Sequence, residues 1–232
     1  MIELRPFDQL GSDNHGWLNA KHHFSFASYY DPNRMNWGRL LVWNDNIIAP
    51  NSGFPSHPHK DMEIITYVSE GAITHQDNLG NRGRTVAGDV QVMSAGTGIA
   101  HSEYNLEPGV TKTFQIWIQP DQAGMPPSWG TRPFPKGVSA GRFVTLASGL
   151  EGDVDALPIR CNARLVAATL QEGQSARYAI DPLRLAYLVV AKGSIKLNDK
   201  ILKEGDGAAV RDESLLDVNA LEHSEVVMVD IA

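Results

Sequence analysis

The sequence predicts an all-β protein whose short strands form a sandwich or a barrel. Runs of β-branched and aromatic residues recur at intervals of about ten residues, and Gly, Asn, Asp and Pro turn signals separate them. A weak internal repeat indicates two such domains, because the sequence around Gly71 and Gly88 is similar to that around Gly193 and Gly205. The second copy has the shorter hairpin, since its glycines are 12 residues apart where those of the first copy are 17 apart.

The strands follow from local patterns along the chain. Residues 63–68 are dense in β-forming side chains and end at Glu70-Gly71, and residues 113–118 alternate strongly between apolar and polar. The runs that predict strands are, in chain order, 22–27, 40–43, 63–68, 72–76, 85–87, 90–93, 113–118, 143–146, 163–168, 185–190, 193–197 and 226–231.

A proline-rich segment divides the two groups of strands. Residues 119–137 contain Pro120, Pro126, Pro127, Pro133 and Pro135, a composition typical of an extended connector. We therefore predict an N-terminal domain over residues 1–120, a linker over residues 121–140 and a C-terminal domain over residues 141–232.

The bulk composition excludes several classes of protein. The 232 residues are 42% hydrophobic, which suits one large or two small buried cores, and the net charge is −7. No basic stripe is present to neutralise phosphates, so we expect no direct binding to nucleic acid. Cys161 is the only cysteine, which excludes an intrachain disulfide. Because no apolar run approaches the ~20 residues that span a bilayer and residues 1–8 do not resemble a signal peptide, we expect a soluble, cytoplasmic protein with no membrane partner.

Four candidate metal ligands lie in two pairs. His57 and His59 are separated by one residue, and so are His101 and Glu103. Side chains two positions apart on a strand point to the same face, so each pair shares a face. If the two strands face each other in a barrel, three imidazoles and one carboxylate converge. A single histidine on a strand is most often only hydrogen-bonded, but two like-facing pairs beside glycine-rich turns predict a metal site.

Glu63 is a second candidate for the carboxylate. It follows His59 by four residues and would face the same way on a regular strand. The spacing of His101 and Glu103 needs no further geometric assumption, so we favour Glu103 as the ligand and expect Glu63 to accept a hydrogen bond from a ligating imidazole. The histidines without such a spacing are predicted to have structural or surface roles: His15, His22, His23, His75 and His223.

These segments resemble the pirin family of bicupins, and most closely its bacterial quercetinase-like members. The resemblance is carried by His57-Pro58-His59-Lys60-Asp61-Met62-Glu63, by residues 94–105 and by residues 16–32, and it is specific over residues 14–120. It implies two tandem cupin barrels of the jelly-roll type. It also implies one metal in the N-terminal barrel, held at the positions of His57, His59, His101 and Glu103, and a degenerate C-terminal barrel without ligands.

The donor set and the resemblance together predict a function. Three imidazoles and one carboxylate suit one divalent ion, with Fe(II) as the first expectation and Zn, Co, Mn, Ni or Cu as alternatives. The resemblance implies a dioxygenase that cleaves the heterocyclic ring of a flavonol such as quercetin and releases carbon monoxide. Glu103 would act as the general base. Phe54, Met62 and Met93 are candidate apolar walls for the aromatic substrate.

Two alternatives to this function stay open. One is a metal-containing regulatory or interaction protein, which would have a protein partner and no turnover. The other is a cupin enzyme with a different small substrate, for which flavonol cleavage is a side reaction.

Overall fold

A computed structural model describes residues 1–132 and 141–232. Within these ranges the chain forms strands and one short 3-10 helix, Phe7–Gln9, so the prediction of an all-β protein is confirmed. The strands are, in chain order, β1 (Ile2–Arg5), β2 (Gly11–Asn14), β3 (Leu18–His22), β4 (Leu40–Ile48), β5 (Ser52–His59), β6 (Glu63–Glu70), β7 (Ala72–Asp77), β8 (Arg82–Val86), β9 (Val90–Ser94), β10 (Ile99–Asn105), β11 (Thr111–Ile118), β12 (Ser128–Arg132), β13 (Val144–Ser148), β14 (Leu157–Pro158), β15 (Ala163–Leu170), β16 (Ser175–Ala179), β17 (Leu185–Lys192), β18 (Ser194–Leu197), β19 (Lys200–Lys203), β20 (Gly207–Val210), β21 (Leu215–Ala220) and β22 (Ser224–Ile231).

Two sequence expectations can be compared directly with these elements. The strand expected over residues 22–27 is wrong, because β3 ends at His22 and Ala27 has a φ of 50°, which lies outside the extended region. In the part of the chain that the structure describes, no helix has the length and apolar character needed to cross a membrane.

The strands belong to two compact units. The N-terminal unit comprises residues 11–132 and Leu157–Cys161, and the C-terminal unit comprises Met1–Leu10, residues 141–156 and Asn162–Ala232. The units differ from the predicted domains at their edges, because β1 pairs with β20 and thereby joins the C-terminal unit. Part of the predicted linker, 121–140, forms β12, which pairs with β9 of the N-terminal unit. Residues 133–140 of that linker lie outside the described residues.

The N-terminal unit consists of two facing antiparallel sheets. One sheet has the order β12-β9-β6-β11-β4-β3-β2, and the other has the order β5-β10-β7-β8. Along β10 every second side chain is buried, beginning with Ile99, so His101 and Glu103 point between the sheets. This alternation places the predicted pair of ligands in the interior.

The interior of the N-terminal unit is a mixture of apolar and polar side chains. Two apolar clusters contribute to it, one around Ile48 and Val68 and the other around Ile64 and Ile99. The polar side chains buried in this unit include Thr66, His75, Gln91, His101, Glu103 and Gln115. Buried polar groups need hydrogen-bond partners, and these residues supply one another.

The C-terminal unit repeats this arrangement around an apolar interior. Its larger sheet has the order β1-β20-β17-β22-β15-β13, and its smaller sheet has the order β16-β21-β18-β19. The side chains between the sheets form one cluster of Val, Leu, Ile, Ala and Met residues, and Leu188, Leu197 and Val218 in it are fully buried.

Candidate metal centre

Three imidazoles meet between β5 and β10. His57 and His59 lie on β5, and His101 lies opposite His57 in the antiparallel register of the two strands. One ring nitrogen from each of the three histidines lies within 4.8 Å of the others. The Nε2 atoms of His57 and His101 are 3.2 Å apart. The three side chains could therefore hold one metal ion.

Glycines allow the close approach of the strands that carry these ligands. Gly96, in the loop before β10, has a φ of 48°, and a Cβ there would lie 2.0 Å from the carbonyl oxygen of Met125. A Cβ on Gly53 of β5 would lie 2.2 Å from the carbonyl oxygen of Glu103. A larger residue at Gly53 would push β5 and β10 apart, so this glycine helps to keep His57 opposite His101, whereas Gly96 allows the loop before β10 to lie against Met125.

The hydrogen bonds of His57 fix its tautomer. Its Nδ1 lies 2.7 Å from the carbonyl oxygen of Pro55. A carbonyl oxygen only accepts, so Nδ1 carries a proton, and in the neutral ring the lone pair is then on Nε2. That lone pair is on the side of the ring that faces His101.

The local environment keeps the imidazoles of His59 and His101 neutral. Burial lowers the pKa of His59 to about 4, and the neighbouring His57 contributes to the same effect. Burial lowers the pKa of His101 to about 3, followed by the effects of His57 and His59. Metals bind the neutral imidazole, so at neutral pH these rings are in the form that coordinates.

The spacing of the donors fits a divalent ion. Two nitrogens that lie 2.0–2.1 Å from one ion at a right angle are about 3.0 Å apart. The 3.2 Å between Nε2 of His57 and Nε2 of His101 agrees with this value. Imidazole donors suit first-row transition metals.

Glu103 is held by hydrogen bonds beside the imidazoles. Its side chain is 2% exposed. Oε1 accepts hydrogen bonds from Thr66 Oγ1, at 2.9 Å, and from Gln91 Nε2, and Oε2 accepts one from Gln115 Nε2 at 2.8 Å. Burial raises the pKa of Glu103, and the bond from Thr66 is the largest opposing effect. The group within 4.8 Å contains the imidazoles and not Glu103, so Glu103 as the fourth ligand stays a prediction.

Glu63 has a different environment. It is buried at the start of β6, and it accepts a hydrogen bond of 2.6 Å from Ser94 Oγ. Burial raises the pKa of Glu63, and hydrogen bonds from Ser94 and from the backbone N–H of Arg160 act in the opposite direction. The expected bond from a ligating imidazole is replaced by these two donors in the described residues.

His75 is a neighbour of the site, although the sequence pattern predicted only a structural or surface role for it. His75 is fully buried on β7, and its Nδ1 lies 3.3 Å from Nδ1 of His101. Its Nε2 lies 3.0 Å from Oδ2 of Asp77. A signal was available, because His75 and Asp77 have the same one-residue separation as the predicted ligand pairs, and His75 lies on the strand predicted over residues 72–76.

A cavity of about 320 Å³ lies within the N-terminal unit. Gln115, which donates a hydrogen bond to Glu103, also lines this cavity. Phe54 lines it as expected, whereas Met62 and Met93 pack in the cluster around Ile64 and Ile99. The other lining residues that bear on ligand binding are Trp17, His22, Phe26 and Asn44.

Comparisons with known proteins agree with this fold. The family model for pirin matches residues 3–118, and the model for a quercetinase C-terminal cupin domain matches residues 145–231. The chain is 63% identical over 232 residues to a pirin-like protein of Caulobacter vibrioides, and the match covers 100% of both chains. The chain belongs to the pirin family.

Relatives from Escherichia coli extend this assignment. The chain is 40% identical over 234 residues to a protein of strain K12 named quercetin 2,3-dioxygenase, with 100% of this chain and 99% of the relative covered. The crystal structure of YhhW from the same species matches with a TM-score of 0.94 at 39% identity, covering 100% of this chain and 98% of that one. The fold of two tandem cupin domains is thereby confirmed.

A related structure contains a metal. Bacterial pirin YhhW in complex with nickel(II) matches with a TM-score of 0.91 at 39% identity, covering 100% of this chain and 99% of that chain. In the protein described here, the imidazoles of His57, His59 and His101 form a donor set that suits an ion of this kind.

Proposed function

We propose that the protein is a metal-dependent dioxygenase that opens the heterocyclic ring of a flavonol such as quercetin and releases carbon monoxide. The observation that carries the proposal is the convergence of three imidazoles next to a buried carboxylate with a raised pKa. The name of the Escherichia coli relative supports the same reaction.

The imidazoles of His57, His59 and His101 would hold the ion, with Glu103 as the fourth ligand. Fe(II) remains the first expectation from the donor set, and the nickel(II) complex of YhhW supports Ni(II) as an alternative. When bound, such an ion supplies a Lewis acid that lowers the pKa of a substrate hydroxyl.

Glu103 would accept the proton of the flavonol hydroxyl that is to react. A general base works best when its pKa lies near the working pH, and burial moves Glu103 in that direction. Thr66 and Gln115 donate to its two oxygens and hold the carboxyl in place. The proton would then stay on a carboxyl oxygen of Glu103 until a product group takes it back.

The cavity beside Gln115 would bind the aromatic substrate. Its volume of about 320 Å³ lies at the lower end of the range of small-molecule pockets, which is roughly 300–1,000 Å³. Trp17, Phe26 and Phe54 offer apolar surface to flat rings, and Asn44 offers an amide to a ring hydroxyl. Such walls would also exclude water from the reacting ring.

The test is an oxygen-dependent assay of quercetin absorbance and of carbon monoxide in one vessel. Purified protein would be compared after loading with Fe(II), Ni(II), Co(II) or Mn(II) and after chelation. A metal-only sample must be subtracted, since flavonols oxidise unaided. Metal-dependent turnover with stoichiometric carbon monoxide supports the proposal. Failure with every metal contradicts it and favours the metal-containing interaction protein, for which partner capture is the next experiment.

A further inference from the structure

Two buried side chains form a line of hydrogen bonds that ends at His101. We propose that Asp77 and His75 are positioning residues that hold His101 in the Nδ1–H tautomer. This tautomer turns the lone pair of Nε2 toward His57, where the ion would bind. The inference rests on the proposed metal site and concerns residues to which the sequence pattern gave no role at that site.

Asp77 is the fixed end of the line. Its Oδ1 accepts hydrogen bonds from the backbone N–H of Leu79, at 2.9 Å, and of Asn81, at 3.0 Å. Its Oδ2 accepts a further bond of 2.9 Å from Nδ2 of Asn81. Both oxygens therefore face donors. A carboxylate in such a setting is an acceptor only, so the contact with His75 must be donated by the imidazole.

The direction of each bond then follows along the line. Nε2 of His75 donates to Oδ2 of Asp77 at 3.0 Å. In the arrangement that we propose His75 is neutral and has one N–H, so its Nδ1 is an acceptor. The only proton available for the 3.3 Å contact between the two Nδ1 atoms is that of His101. Nε2 of His101 is therefore left with its lone pair, 3.2 Å from Nε2 of His57.

The ring plane of His75 is fixed by packing. The indole of Trp129 stacks on it with a centroid distance of 4.7 Å and an interplanar angle of 10°. Gly83, opposite His75 in the register of β7 and β8, makes room for this stack, because a Cβ there would lie 2.2 Å from Cη2 of Trp129. A fully buried ring in this packing does not turn to find another partner.

The position of His101 in the sheet explains why it needs a side-chain partner. His57 donates to the carbonyl oxygen of Pro55, which lies in a β-bulge of the edge strand β5. β10 is an inner strand between β5 and β7, so its neighbours use their backbone groups for the ladder. The acceptor for His57 is a backbone carbonyl in the bulge, whereas the acceptor for His101 is the side chain of His75.

The first test reads the tautomers without any metal. Long-range proton–nitrogen NMR spectra of protein labelled with ¹⁵N-histidine, in the presence of chelator, should show His101 as Nδ1–H and His75 as Nε2–H. Asp77→Asn would place an amide donor at the end of the line, so both rings should change tautomer while the circular dichroism spectrum stays the same. Finding His101 as Nε2–H in the wild-type protein overturns the inference.

The second test measures Ni(II) affinity by competition with a chromophoric chelator. Asp77→Asn and His75→Phe should each weaken binding by about 10- to 100-fold, the usual effect of losing a group that orients a ligand. His75→Phe keeps the aromatic stack on Trp129, and His75→Asn should restore part of the affinity because its amide oxygen can accept from His101. His223→Gln, in the C-terminal unit, is the matched control.

The outcomes separate this inference from the proposed function. Wild-type protein that binds neither Ni(II) nor Fe(II) would overturn the metal site on which the inference depends. Wild-type binding together with unchanged affinity in Asp77→Asn, which preserves the size of the side chain, would overturn only the inference.

Discussion

The two units share one arrangement of strands and differ in what fills it. The order β5-β10-β7-β8 in the N-terminal unit corresponds to β16-β21-β18-β19 in the C-terminal unit. In the larger sheets β9-β6-β11-β4 corresponds to β20-β17-β22-β15. Gly71 and Gly193 precede equivalent hairpin strands, and Gly88 and Gly205 precede the next equivalent pair. The internal repeat in the sequence is therefore a repeat of structure.

The registers identify which residues are equivalent. Thr66 pairs with Gln91 and Gln115, and at the corresponding place Leu188 pairs with Ala208 and Met228. On the facing sheets, the equivalent of the pair Glu103 and His75 is the pair Val218 and Leu197. All five replacements are apolar and belong to the buried cluster of the C-terminal unit.

The difference indicates that the buried polar side chains occur together in one unit and are replaced together in the other. Glu103 needs donors, and Thr66, Gln91 and Gln115 need an acceptor, because an unsatisfied buried polar group costs about 1–3 kcal/mol. Once the carboxylate becomes Val218, each amide is better replaced by an apolar side chain. The N-terminal unit has buried polar side chains around the candidate site, and the C-terminal unit has closely packed apolar side chains at the same positions.

The largest expected effect comes from restoring only the carboxylate to the C-terminal unit. Val218→Glu places it at the position equivalent to Glu103, where Leu188, Ala208 and Met228 offer no donor. An uncompensated buried charge should lower the free energy of unfolding by about 3–5 kcal/mol. Hydrogen exchange of the β17 and β22 peptides would measure the loss.

Leu215→Glu is the control for this variant. Leu215 lies on the same strand, β21, but is 44% exposed. Its replacement should change stability by less than about 0.5 kcal/mol. If Val218→Glu and Leu215→Glu showed equal protection from hydrogen exchange, the C-terminal interior would tolerate a carboxylate and the comparison would fail.

Removal of a metal ligand should have a large effect on one unit and none on the other. His57→Ala and His101→Ala should lower Ni(II) affinity by more than about 100-fold, the upper limit for groups that only support a ligand. Metal analysis of the purified variants would measure this, with His223→Ala as control. Hydrogen exchange of the C-terminal unit should be unchanged. Full metal occupancy in either variant contradicts the assignment.

Activity should depend on Glu103 more than on Glu63. Glu103→Gln keeps the shape of the side chain but removes the base, so kcat should fall by about 10²–10⁴-fold. Glu63→Gln alters a carboxyl that is bonded to Ser94 and should change kcat by less than about 10-fold. The reverse order would make Glu63 the carboxylate that matters.

In chelated protein, stability should depend on pH. His59 and His101 have pKa values of about 4 and about 3 when folded, below the value of 6.5 for an unfolded histidine. The unfolded chain therefore binds more protons below pH 6.5, so stability is full above that pH and falls as the pH drops toward 4. Tryptophan fluorescence during urea unfolding is a selective readout, because all 5 tryptophans lie in the N-terminal unit.

A control variant sharpens this measurement. His101→Gln should reduce the fall in the urea midpoint between pH 6.5 and pH 4.5, whereas His223→Gln should not. A wild-type midpoint that stays constant over this range would contradict the low pKa values.

Much of the fold and the centre of the site could be predicted from local sequence. Strand periodicity and turn residues depend on neighbours in the chain, and the pairs at His57 and His101 are visible at a spacing of two. Gln91 and Gln115 could not be found in this way, because each is a single amide in an apolar run whose partner comes from another strand. Only the register between strands brings them to Glu103.

Trp129 shows the same limit in a different place. The prolines before it favoured an extended connector, but residues 128–132 pair with β9 and bring the indole onto His75. Ser128-Trp129-Gly130-Thr131 contains two β-forming residues at alternate positions, a signal too short to outweigh the prolines.

The edge position of β5 has a consequence for the protein without its ion. Among the described strands β5 pairs only with β10, and it carries His57 and His59. An ion bound by His57, His59 and His101 would link this edge strand to β10. Without such an ion, β5 would fray first and expose the backbone amides of β10, to which a strand of another molecule could attach. A lack of metal would then make the folded barrel prone to aggregation.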